Sequence, residues 1–109
     1  MSASQPRLPA SVAPLFEPLD MGRIRLPNRI VRSATYEGMG LPDGRPSQAL
    51  GDLYAGLAAG GAGAIVTGFA FTSPEGRAMQ PRQCGLHDDA VVAAWRTVVE
   101  RAREGGGET

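Results

Sequence analysis

The chain has 109 residues, 11 basic and 11 acidic, giving a formal net charge of zero, with one cysteine and one histidine. That length sustains one small hydrophobic core, and the balanced charge offers no basic footprint for nucleic acid. Every basic residue is an arginine, which excludes a Schiff-base or phosphate-loop lysine, and a lone Cys84 and a lone His87 exclude an internal disulfide and a cysteine- or histidine-rich metal site.

Residues 1–14 mix Ser, Ala and Pro without periodicity and read as a flexible arm. No apolar run approaches the ~20 residues of a membrane span. No secretory apolar stretch follows Arg7, so a cytoplasmic location is expected. Around Gly22, Ile24 and Leu26 alternate with Arg23 and Arg25, the period-2 pattern of a small hairpin with arginines to water and aliphatic side chains inward. Residues 29–35 predict a core strand that starts apolar and β-branched and ends in small polar residues. A strand of a parallel sheet is buried along its length and presents chemistry at its C-terminal end.

Gly38, Gly40, Pro42-Asp43-Gly44 and Pro46 then form a loop. Ser47 fits a helix N-cap, and Leu50, Leu53, Tyr54 and Leu57 define one helical face. Gly51 and Gly56 would let that helix lie close on a sheet, and Gly60-Gly61 ends it. A second strand is predicted over residues 62–67, with a turn at Ser73-Pro74-Glu75-Gly76 and a long loop to Leu86. Asp88 caps a second helix whose inner face carries Val91, Trp95, Val98 and Ala102; Gly105-Gly106-Gly107 stops it.

Alternating strand and helix argue for a parallel sheet. Two strands with two helices leave open sheet edges, so the chain reads as the opening part of a larger βα structure. Glu37 reads as a solvated carboxylate or an arginine's ion-pair partner, and Arg32 as structural. His87 reads as a surface loop residue, and Tyr54 and Trp95 as core. Cys84 lacks the neighbours of a nucleophile. Arg77 and Arg82 fall in the loop above the second strand, the side where a barrel would carry its site.

Several motifs in order carry a family resemblance. Leu15-Phe16-Glu17-Pro18, Met21-Gly22 and Leu26-Pro27-Asn28-Arg29-Ile30-Val31 resemble the opening of the Old Yellow Enzyme family of NADH:flavin oxidoreductases. So do Gly61-Ala62-Gly63-Ala64-Ile65-Val66-Thr67, Ser73-Pro74-Glu75-Gly76-Arg77, and the helix start Asp88-Asp89-Ala90-Val91-Val92-Ala93-Ala94-Trp95. The resemblance implies an α/β fold: a hairpin plus two βα units forming the N-terminal portion of a TIM (β/α)8 barrel over residues 15–109. It implies FMN at the C-terminal strand ends, reduced by NADH or NADPH and passing hydride to a small enone-type substrate. Charge and hydropathy give no nucleic-acid or membrane partner, and a homo-oligomer of the full-length protein stays open.

Carried over by position, Ser33, Ala34, Thr35 and Tyr36 line the isoalloxazine, with backbone groups pairing flavin N5 and O4, and Gly68 and Phe69 approach its pyrimidine edge. Ala34 replaces the family's usual Pro, Tyr36 its usual Thr or Cys, and Phe69 a usual small residue. The substrate-carbonyl pair, proton donor and phosphate site are expected beyond Thr109, which assigns no catalytic residue or metal ligand to this chain and makes it inactive alone. Two alternatives stay open: a non-catalytic truncated barrel module, and another flavin-binding TIM-barrel dehydrogenase.

Overall fold

The computed structural model describes residues 9–78, 81–106 and 108–109. Residues 1–8 of the predicted arm, and Gly107 of the predicted helix stop, lie outside the described residues. A 3₁₀ turn at Ala13–Phe16 already occupies the arm's end. Pro14 is tolerated in its first turn because that N–H would have no helical partner.

The hairpin forms as β1 (Leu19–Met21) and β2 (Ile24–Leu26), antiparallel, with Met21 opposite Ile24. Gly22 takes φ +70° at the first loop position, and Arg23 keeps a negative φ, which suits a two-residue type II′ turn. The predicted inward facing is corrected at the turn end, where Ile24 and Met21 are 62% and 59% exposed, while Leu19 and Leu26 at the other end of the ribbon are half-buried.

The two core strands are far shorter than their apolar runs. β3 is Val31–Arg32 and β4 is Ala64–Ile65, paired in parallel with Val31 opposite Ala64. Each has one neighbour, so each satisfies one edge, and Val31 is exposed rather than buried. Asn28 ties the two strand starts together: its side-chain Nδ2 donates to the Gly61 carbonyl at 2.7 Å, and its Oδ1 accepts from the Ile30 N–H at 2.9 Å.

Helix α1 (Gln48–Ala59) begins where predicted, with the Ser47 hydroxyl accepting from the Leu50 N–H at 3.4 Å. It ends through Gly61 at φ +103°; Gly60 stays right-handed at φ −73°. Helix α2 (Asp89–Gly106) is capped by the Asp88 carboxylate, which accepts from the Val91 N–H at 2.9 Å. It runs through Gly105 and Gly106, which do not stop it.

The core is the seam between α1 and α2: Leu50, Tyr54, Cys84 and Val98 are buried together, flanked by Met39, Leu53, Leu57, Ile65, Trp95 and Ala102. Gly51 faces the Arg101 stem and Val98 across this seam, so it permits helix–helix rather than helix–sheet approach; Gly56 faces open space. Asp52 and Arg101 form an exposed ion pair over the seam at 3.2 Å.

Candidate functional site

The site is built at the C-terminal ends of β3 and β4. Arg32 closes β3, and its guanidinium turns toward α1, lying 5.8 Å from the Tyr54 ring centre. Its Nη1 donates to Glu37 Oε2 at 2.8 Å and to the Val66 carbonyl at 3.1 Å. The Tyr54 hydroxyl donates to the same carboxylate oxygen at 2.6 Å, and the Gly68 N–H at 3.3 Å. Glu37 has an 8% exposed side chain, so it is an arginine's ion-pair partner and not a solvated loop carboxylate. Burial foremost, and then the bond to Glu37, holds the Tyr54 phenol well above its ordinary value of 10.0.

This network brings together the six residues singled out from the sequence. Ser33, Ala34, Thr35 and Tyr36 continue from β3 in non-helical backbone and are exposed. Among the described residues their N–H groups have no hydrogen-bond partner, while the Thr35 hydroxyl donates to the Ser33 carbonyl at 3.1 Å. Gly68 lies directly opposite. A Cβ there would overlap Glu37 Oε1 and the Thr35 carbonyl oxygen, so glycine is what lets the two strand ends close up. Tyr36 and Phe69 meet across the gap with ring centres 5.7 Å apart at 57°, and are 41% and 48% exposed.

The loop arginines separate. Arg77 donates to the carbonyls of Leu41, Pro42, Pro81 and Gln83 and lies 5.1 Å from the Phe71 ring centre. It clamps the two loops above the strands through Nη1 and Nη2, while its buried Nε has no partner among the described residues. Arg82 is exposed and contributes its carbonyl to the Gly40 N–H at 2.8 Å. His87 is corrected from a surface residue: it stacks on Phe71 at 4.8 Å and 28°. Gly44 and Gly85 make room for that stack, since a Cβ on either would strike the Phe71 ring. Cys84 is buried, and burial followed by the Glu37 charge pushes its thiol up to about 11.

Two contributors escaped the sequence reading. Tyr54 was legible as core, but a buried tyrosine needs a partner for its hydroxyl, and that partner, Glu37, lies 17 positions away in the chain. Asn28 sat inside a recognised motif without a role. Among the described residues no group of three or more His, Cys, Asp or Glu is placed to hold a metal ion, and no helix is long and apolar enough to cross a membrane.

The model of the NADH:flavin oxidoreductase / NADH oxidase family matches residues 14–108. The chain belongs to that family. It is 40% identical over 78 residues to the 4,4'-dithiodibutanoate disulfide reductase of Rhodococcus erythropolis, covering 72% of this chain and 17% of that protein. Morphinone reductase, solved with tetrahydroNAD, is 34% identical with a TM-score of 0.71, over 84% of this chain and 24% of its own. The Old Yellow Enzyme homologue of Zymomonas mobilis is 29% identical with a TM-score of 0.75, over 84% of this chain and 25% of its own. The chain thus spans about a sixth of the curated relative's length and about a quarter of these structures.

The members of this NADH:flavin oxidoreductase family are oxidoreductases of the Old Yellow Enzyme type that use FMN with NADH or NADPH. The strand ends fit a planar heteroaromatic ring. Their side chains are small at Ser33, Ala34 and Gly68, their N–H groups between residues 33 and 36 are unpaired among the described residues, and two aromatic rings border them.

Proposed function

We propose that this chain supplies one wall of the flavin site of an FMN-dependent NAD(P)H oxidoreductase, as the hairpin and first two βα units of a TIM barrel. FMN, when bound, supplies the hydride-carrying ring between the nicotinamide and an electron-poor acceptor such as an enone. The chain's own residues bind and orient. Residues 33–36 offer backbone donors and acceptors to the ring's polar edge, Gly68 allows close approach, and Tyr36 and Phe69 shield that edge from water. No proton donor is assigned to this chain: Glu37, the carboxylate beside the strand ends, has an 8% exposed side chain and is held by Arg32, Tyr54 and Gly68 through its Oε2. On this reading the 109 residues alone neither hold FMN tightly nor turn over.

The observation that carries the reading is the juxtaposition of residues 33–36 with Gly68 and Phe69 in a chain matched by this family over residues 14–108. The path of the chain supports the barrel. After α2, the Thr109 hydroxyl donates to the Ala62 carbonyl at 2.9 Å, returning the backbone to the start of β4, where a next parallel strand would begin.

A second acceptor class has its own support. The Rhodococcus relative is named for reducing a disulfide, and it shares more identity than the morphinone reductase match. Cys84 is buried with a raised thiol, so it does not serve thiol exchange, and disulfide reduction would run on flavin electrons. The test is to express the complete reading frame, measure FMN content, and follow NADH and NADPH oxidation with cyclohexenone and with 4,4'-dithiodibutanoate. A flavin-free protein, or one idle with both acceptors, would sink the reading; the acceptor ratio decides between the two substrate classes.

A further inference from the structure

We propose that Glu37 is a positioning residue, whose carboxylate holds Gly68 and Phe69 against residues 33–36 and thereby shapes the flavin-facing wall without touching the ring. The wall's occupant rests on the flavin reading above; the geometry does not. The β3–β4 ladder comprises two residue pairs and stops at Arg32 and Ile65. Past it, the Val66 N–H still donates to the Arg32 carbonyl at 3.0 Å, but the Gly68 N–H finds a side chain instead of a strand carbonyl. Glu37 Oε2 therefore stands in for the missing ladder acceptor.

The same oxygen accepts from Arg32 of β3 and Tyr54 of α1, so three separate segments converge on one atom. The charge is matched by one guanidinium. Deleting the carboxylate would strand a half-buried Arg32, a buried hydroxyl and the Gly68 N–H together. Tyr36 directly precedes Glu37 and Phe69 directly follows Gly68. Anchoring Glu37 to Gly68 consequently sets how the two aromatic rings meet.

The test compares Glu37→Gln, Glu37→Ala and Tyr54→Phe in the protein expressed from its complete reading frame. Two readouts are needed: deuterium exchange of peptides covering residues 66–70, and the visible circular dichroism and reduction potential of bound flavin. Glu37→Ala should speed exchange at 66–70 by about ten-fold or more, above the change elsewhere in the chain, with Glu37→Gln and Tyr54→Phe in between. In a folded Glu37→Gln protein the flavin dichroism and potential should both shift. Unchanged exchange at 66–70 in the variants that fold overturns the proposal, and so do superimposable flavin signals in Glu37→Gln. If Glu37→Ala fails to fold, the two near-isosteric variants decide. A wild-type protein without flavin defeats the functional reading instead, and exchange alone then settles whether Glu37 positions Gly68.

Discussion

Cys84 and Tyr54 lie in the same buried cluster, and both are pushed toward their neutral forms. A raised folded-state pKa means that folding holds the proton more tightly, so the stability it contributes is complete below the unfolded value and falls as pH rises toward the folded one. For Cys84 that window runs from its ordinary 9.0 to about 11. For Tyr54 it opens above 10.0. In the protein expressed from its complete reading frame, melting temperature should therefore hold up to about pH 9 and fall beyond it, and Cys84→Ser should remove the earliest part of the fall; a flat profile in the wild type would contradict the burial of both groups. Gly68 makes a second test at this scale. Adding one methyl forces it onto the Thr35 carbonyl and Glu37 Oε1, so Gly68→Ala should destabilise by about 1–3 kcal/mol, the usual cost of overpacking. Chemical denaturation measures this, and a loss below a few tenths would show that the strand ends can part freely.

Helices were far more legible than strands, and the reason is physical. An α-helix satisfies its backbone internally, so the caps at Ser47 and Asp88 and the apolar faces of Leu50, Tyr54, Val91 and Val98 specify it locally. A strand's backbone is satisfied only by a partner from elsewhere in the fold. The apolar runs at 29–35 and 62–67 therefore realise only the two residue pairs that this chain can supply. The site followed the same rule. Its candidate residues were visible as small residues at strand ends, while the Arg32–Glu37–Tyr54–Gly68 network, spread over 36 positions, leaves no local pattern. Gly56 shows the limit of reading glycine as close packing. It is exposed in mid-helix and a Cβ there meets nothing within 4 Å. Gly56→Ala should stabilise α1 by about 0.5–1 kcal/mol through propensity and unfolded-state entropy. Gly51, buried against α2, should gain less because its Cβ would press on the Arg101 stem at 3.4 Å. Thermal unfolding of the two variants side by side, in the protein expressed from its complete reading frame, checks the order; a destabilising Gly56→Ala would reveal a contact on that face.

At the scale of the whole molecule the apolar surface is badly placed for a free-standing domain. Ile24, Met21, Val31, Val66, Phe69 and Val99 are all at least two-fifths exposed, and β3 and β4 pair only with each other among the described residues. The radius of gyration is 16.5 Å, against about 13 Å for a compact 100-residue domain. A concavity of about 330 Å³ runs beside β4, lined by Ile24, Leu26, Ile65, Val98, Val99 and Thr109. Each of these features suits a surface covered by further βα units. Unpaired strand edges next to exposed aliphatic side chains template pairing with other chains. The 109-residue polypeptide expressed alone should consequently self-associate, bind a hydrophobic dye, and melt without a sharp transition. Sedimentation velocity across a concentration series, with dye fluorescence alongside, measures this. A dye-negative monomer with a cooperative melt would show that the two helices and four short strands suffice by themselves, and would count against reading the exposed edges as seats for the rest of a barrel.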